Sequence, residues 1–153
     1  MVFELLTPGT VKTGLRAASK KALLQQLAAI AAPLVGVAES RIAEVLGERE
    51  RLGSTGLGGG IAIPHARLPD LKSVSGVFAK LHPPVDFDAI DRQPVDMVFM
   101  LLAPEDAGAD HLKALAQVSR LFRDRLLVEK LRGTNNADAI YALLSGVAHS
   151  EAA

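Results

Sequence analysis

Cysteine and tryptophan are absent from this chain, and aromatic residues make up only 4% of it, five Phe and one Tyr. The missing thiols exclude disulfides, zinc–thiolate sites and cysteine nucleophiles. With so few rings, the core must be built from Leu, Ile, Val and Ala, and no basic stretch interleaved with aromatics is there to stack on bases. Neither charge sign is in excess. Lys plus Arg and Asp plus Glu both number 17, so no global field draws the chain to nucleic acid or an anionic membrane. Apolar runs of about 20 residues, the length that spans a bilayer, are also missing, which speaks against membrane insertion. The opening MVFELLTPGT lacks the charged and apolar regions of a signal peptide, and a soluble, cytoplasmic protein is expected. No His-x-x-x-His or Glu-x-x-His pair suggests a metal site, and no Gly-Lys-Ser/Thr follows the glycines at 56–60 to make a nucleotide loop.

What is present is 49% hydrophobic over 153 residues, enough for one domain with its own core. The pattern predicts a single domain over 1–146 and a frayed tail at 147–153. Val2–Leu6 reads as a strand. A helix starts near Ser19 with Leu24, Leu27, Ala28 and Ala31 on one face, ended by Pro33 and Gly36. A second runs from about Ala38 to Arg51 with Ile42, Val45 and Leu46 inward. Ile61–Ile63 and Ser75–Leu81 read as strands, the latter broken by His82-Pro83-Pro84, with Val85–Phe87 as an edge strand. Val95–Ala103 is the clearest strand. Its run Val98–Leu102 has no polar side, which suits a strand covered by helices on both faces. Asp110 is the expected N-cap of a helix with Leu112, Leu115, Ala116, Ser119 and Phe122 on one face. Shorter helices follow over Leu126–Arg132, with Gly133 closing it, and Asn136–Leu144. Strands mixed with amphipathic helices give a three-layer α/β/α sandwich.

Two of the four histidines stand out. His65 ends the stretch GGGIAIPHARLPD (Gly58–Asp70), where three glycines allow backbone N–H groups close to a ligand and Pro64 fixes φ just before the imidazole. That arrangement serves either a reactive ring facing an anion or an ordinary turn. His111 falls on the first turn of a helix beginning near the C-terminal end of the central strand, where α/β folds put their sites. A helix N-terminus disfavours imidazolium, so His111 is expected to stay neutral and offer an N–H. A neutral His65 has a lone pair able to attack phosphorus. Arg49 or Arg51 could supply charge to phosphoryl oxygens, or simply be a solvated helix end. His82 reads as packing at a strand end, and His149 as solvated.

Arg49-Glu50, then LGSTGLGGGIAIPHAR (Leu52–Arg67), then QPVDMVFMLLAPEDAGADHLKALAQVSRLF (Gln93–Phe122) occur in that order. This resembles the IIA domains of the phosphoenolpyruvate-dependent phosphotransferase system, fructose/mannitol type, and within them is most similar to the nitrogen-regulatory kind. The resemblance runs from about Leu5 to Leu144. It implies an α/β/α fold with a mixed sheet, no cofactor, and His65 as acceptor of a phosphoryl group from HPr or its nitrogen-branch relative. By the same resemblance His111 helps hold the phosphoryl group, and Arg49 matches the family's arginine at that helix end. The resulting expectation gives phosphate binding to the amides of Gly58, Gly59, Gly60 and Ile61 as well. Gly59 and Ala66 depart from common family residues. The implied role is a regulatory phosphohistidine switch acting on target proteins in potassium transport, nitrogen metabolism or stress signalling. The alternatives are a sugar-specific IIA component serving a IIB domain, or an interaction module without phosphotransfer.

Overall fold

A computed structural model describes the backbone of residues 2–152 and the side chains of residues 4–146. Its centre is β6 (Val95–Pro104). Val98, Met100 and Leu102 alternate with Met97, Phe99 and Leu101, and the two sets enter different cores. The first packs with Leu23, Leu27, Ile42 and Leu46 of α1 (Lys20–Val35) and α2 (Glu39–Arg51). The second packs with Val118, Leu121, Leu131 and Ile140 of α3 (Ala109–Leu121), α4 (Arg125–Arg132) and α5 (Ala137–Ala152). A period of two with apolar residues on both sides is what a sheet between two helical layers demands. The three-layer sandwich expected from the pattern is the fold.

Six strands form one mixed sheet. Its order is β1 (Val11–Leu15), β5 (Ser75–Val85), β6, β3 (Ile61–Ala62), β2 (Gly56–Gly58), and β4 (His65–Leu68) also pairs with β6. β3 and β4 both run parallel to β6, at Met97–Val98 and Leu101–Pro104. They are one line of chain interrupted at Ile63-Pro64. Pro64 has no N–H to donate, but its carbonyl accepts from Leu101 N–H at 2.9 Å, so the chain re-enters the ladder at residue 65.

Several elements differ from expectation. Val2–Leu5 is a 3₁₀ turn, not a strand; Leu5 and Leu6 pack into the α3–α5 core, and the edge strand comes later as β1. Pro33 lies inside α1 and does not end it. Proline there loses its own N–H bond and crowds the carbonyl one turn back, without ending the helix, and the stop is Gly36, left-handed at φ 69°, its N–H on Ala32 O. β5 continues through His82-Pro83-Pro84 to Val85, because a register shift between Lys80 and Val85 absorbs residues unable to donate; His82 is exposed there, not packed. The α3 helix starts at Ala109 after Gly108, with Asp110 inside the first turn rather than capping. Its buried face is His111, Ala114, Val118 and Leu121, and Leu112 is 64% exposed. Gly133 closes α4 at φ −82° rather than left-handed; around this helix end Lys80 Nζ donates to the carbonyls of Arg132 (2.9 Å) and Thr134 (2.8 Å). Burial lowers the pKa of that lysine. The α5 backbone extends to Ala152, but the side chains of 147–153, where a frayed tail is expected, lie outside the described residues.

Candidate active site

Strand alternation aims His65. Ala66 and Leu68 point into the α1/α2 core, so His65 and Arg67 share the other face, towards α3. The His65 ring is held by its own backbone neighbourhood, with Nδ1 2.8 Å from Ile63 O. A carbonyl oxygen only accepts, so Nδ1 carries the proton and the lone pair sits at Nε2. Burial lowers the pKa of His65. The bond to Ile63 opposes that effect, the Arg49 and Arg67 charges add to it, and Glu50 acts against them.

His111 is the third residue of α3 and is 4% exposed. Its ring centroid lies 5.6 Å from that of His65, with the planes at 72°. Its pKa is lowered as well, first by burial and then by His65 and Arg67. Neutrality is what the helix N-terminus suggested, but burial is the leading cause. Arg67 Nε donates to His111 Nδ1 at 2.9 Å. The other nitrogen, Nε2, is buried and has no hydrogen-bond partner among the described residues.

Arg49, in the last turn of α2, lines the same cleft of about 940 Å³ as His65, Arg67 and His111. Its Nη1 donates to Gly53 O at 2.8 Å. The helix end beneath it is anchored by Glu50, buried, which pairs with Lys20 Nζ at 2.8 Å and accepts from Thr55 N–H at 3.2 Å. Arg51 faces a separate cleft between α1 and α2 and does not join the site. Leu52 (85% exposed) and Leu112 stand on the rim of the His65 cleft.

The structure does not bring Gly58, Gly59, Gly60 and Ile61 to this cleft. Ile61 is paired with Met97, four residues before the partner of His65, on the order of 13 Å along the sheet at strand rise. Several of the loop's polar groups are bonded elsewhere. Gly59 N–H donates to Asp91 Oδ2 at 2.9 Å, and Gly60 O accepts from Asp96 N–H at 2.9 Å. Arg132 bonds both Gly59 O and Asp96. A Cβ on Gly60, at φ +81°, would meet Arg132 Nη2 at 2.5 Å. The glycines serve a close backbone turn against Asp91, Asp96 and Arg132. Arg67, by contrast, is a site residue that motif reading missed. The signal was available: in a strand beginning at His65, residue 67 lies on the same face.

Two rings with lowered pKa give a pH dependence. Each is neutral in the fold below its ordinary value of 6.5, whereas the unfolded chain takes up those protons near 6.5. Stability is then constant above that pH and falls as pH drops from about 6.5 towards the depressed folded values. Denaturant titrations across this window should show the fall, and His65→Ala/His111→Ala should flatten it. An unchanged slope in the double variant would count against two neutral rings.

Residues 4–147 match the family described as phosphoenolpyruvate-dependent sugar phosphotransferase system, EIIA 2. The chain is 51% identical over 144 residues to a nitrogen regulatory protein of Bradyrhizobium diazoefficiens, 94% of each chain being covered. It is 40% identical over 149 residues to one of Pseudomonas aeruginosa, covering 97% of each. The crystal structure of the nitrogen regulatory protein IIA-Ntr from Neisseria meningitidis superposes with a TM-score of 0.89 at 34% identity, over 94% of this chain and 98% of that one. Among the described residues no helix is long and apolar enough to cross a membrane.

Proposed function

Because this chain belongs to the EIIA type 2 family of the phosphoenolpyruvate-dependent sugar phosphotransferase system, we propose that it is a regulatory phosphohistidine protein. It accepts a phosphoryl group on His65 from an HPr-like phosphocarrier in the cytoplasm. The observation that carries this reading is the pairing of tautomers. The Ile63 carbonyl leaves His65 Nε2 with a lone pair, while Arg67 leaves His111 Nε2 with a proton. One ring can attack and its neighbour can donate.

In the transfer, His65 Nε2 attacks phosphorus in line. The new N–P bond forms as the carrier's N–P bond breaks, and the carrier's imidazole leaves with that electron pair. Positive charge developing on the His65 ring is stabilised through Nδ1–H on the Ile63 carbonyl. His111 Nε2–H and the Arg49 guanidinium serve the phosphoryl oxygens, so catalysis is positioning and electrostatics. The relatives' description as nitrogen regulatory proteins supports a switch read by target proteins over a sugar-specific role.

His111→Ala tests the division of labour. The nucleophile stays, and single-turnover acceptance from the phosphorylated carrier is expected to slow by about 100-fold, the range for loss of one preorganised donor. A wild-type rate would remove His111 from the mechanism.

A further inference from the structure

The hydrogen bond from Arg67 to His111 has a chemical consequence that reaches beyond the guanidinium's charge. A guanidinium has N–H donors only and stays protonated. Its Nε lies 2.9 Å from His111 Nδ1, so Nδ1 must present a lone pair and the ring's one proton must sit at Nε2. That Nε2–H is buried and unpaired beside the half-buried ring of His65. A buried donor without a partner is costly, and here it marks a place for an acceptor. We infer that Arg67 is a positioning residue: it locks His111 as the Nε2–H tautomer, and so sets the N–H that a phosphoryl oxygen on His65 takes up.

The geometry has a reason in the fold. Arg67 and His65 are two residues apart on β4 and share one face, while His111 comes from α3. A short strand and a helix start thus deliver three side chains to one cleft. Without Arg67, the His111 ring can place its proton on either nitrogen, and a share of molecules would turn a lone pair towards the phosphoryl oxygens. The purpose of the lock rests on the phosphohistidine reading, but the tautomer itself does not.

Two measurements test this. Long-range proton–nitrogen correlation spectra of the nitrogen-15-labelled chain at neutral pH read the tautomer directly. His111 is expected as Nε2–H in the wild type and in Arg67→Lys. In Arg67→Glu a carboxylate now accepts at that position, and the proton is expected to move to Nδ1. A wild-type His111 protonated at Nδ1, or no change in Arg67→Glu, would overturn the inference. The second measurement follows phosphorylation of His65 by potassium phosphoramidate, using phosphorus NMR. Arg67→Ala should slow it by about 10-fold, as loss of a group that orients a histidine does elsewhere, with Arg67→Lys recovering much of the rate. Added to His111→Ala, the same change should slow nothing further, since Arg67 acts through His111. An additional loss in that background would make Arg67 a direct phosphoryl contact and defeat the positioning role. Absence of any label on His65 in the wild type would sink the phosphohistidine reading instead, and leave the tautomer result standing.

Discussion

Replacing His65 with alanine is expected to abolish labelling of the chain by phosphoenolpyruvate, enzyme I and an HPr-like carrier. The loss should be total because no described neighbour can take over. Among the other histidines, His111 has its lone pair occupied by Arg67, and its protonated nitrogen is buried. His82 is exposed on β5, and residue 82 does not line the His65 cleft. The substitution removes a half-buried ring whose hydrogen bond among the described residues runs to Ile63 O, so the fold should survive it with a change of about 1 kcal/mol or less. Circular dichroism alongside the labelling assay separates loss of the proposed acceptor ring from loss of structure. Undiminished phosphate in the variant, mapped to another residue, would defeat the assignment.

The largest expected effect on stability is that of Phe99→Ala. A chain with five Phe places three of them together. Phe99 stands edge-on to Phe78 at 6.5 Å and to Phe122 at 6.2 Å, and Phe78 stacks on Phe122 at 6.2 Å. Phe99 is fully buried. Its ring also lies where a Cβ on Gly76 would be, 2.8 Å from Cε1, so the adjoining strand is cut back to glycine to admit it. Alanine would leave a cavity in the middle of the sheet, under α3. The cost is expected at about 4 kcal/mol, a large share of the roughly 5–15 kcal/mol that stabilises an ordinary domain. Tm should fall by about 12 °C. Urea denaturation gives the value directly, and a loss under about 1 kcal/mol would mean the site collapses around the gap.

How far this could be read from sequence depends on where each residue finds its partner. Val98–Leu102 declared a doubly covered strand because both faces are apolar within the run itself. Ser19 announced the start of α1 by a local bond, its Oγ accepting from Ala22 N–H. In α3 the periodicity misled by one residue. Leu112 looked inward on hydrophobicity, yet His111 occupies the buried row because Arg67 and the cleft receive it. β1 escaped notice because Val11–Leu15 holds a left-handed Gly14 and depends on pairing with a strand more than sixty residues later.

The site divided along the same line. The His65 and His111 pair was legible from motif and from position at a helix start. The glycine run looked like an anion cradle, and only the distant Asp91, Asp96 and Arg132 explain its use. Arg67 ends the stretch that carries the family resemblance, but nothing in that stretch assigned it a role. Its partner is 44 residues away, and strand parity alone could have pointed to it.

The restart of the chain as β4 after Pro64 has a last consequence. Residue 65 is laced to Leu101 in the middle of the sheet, so a group added to its ring arrives on a stiff mount, with little backbone freedom to take up the change. The chain has a formal net charge of zero at pH 7, and a phosphoryl group brings about −2. In the proposed role, a listening protein would sense a shift in local potential rather than a rearranged outline. Its discrimination between the two forms should therefore weaken as added salt shortens the Debye length.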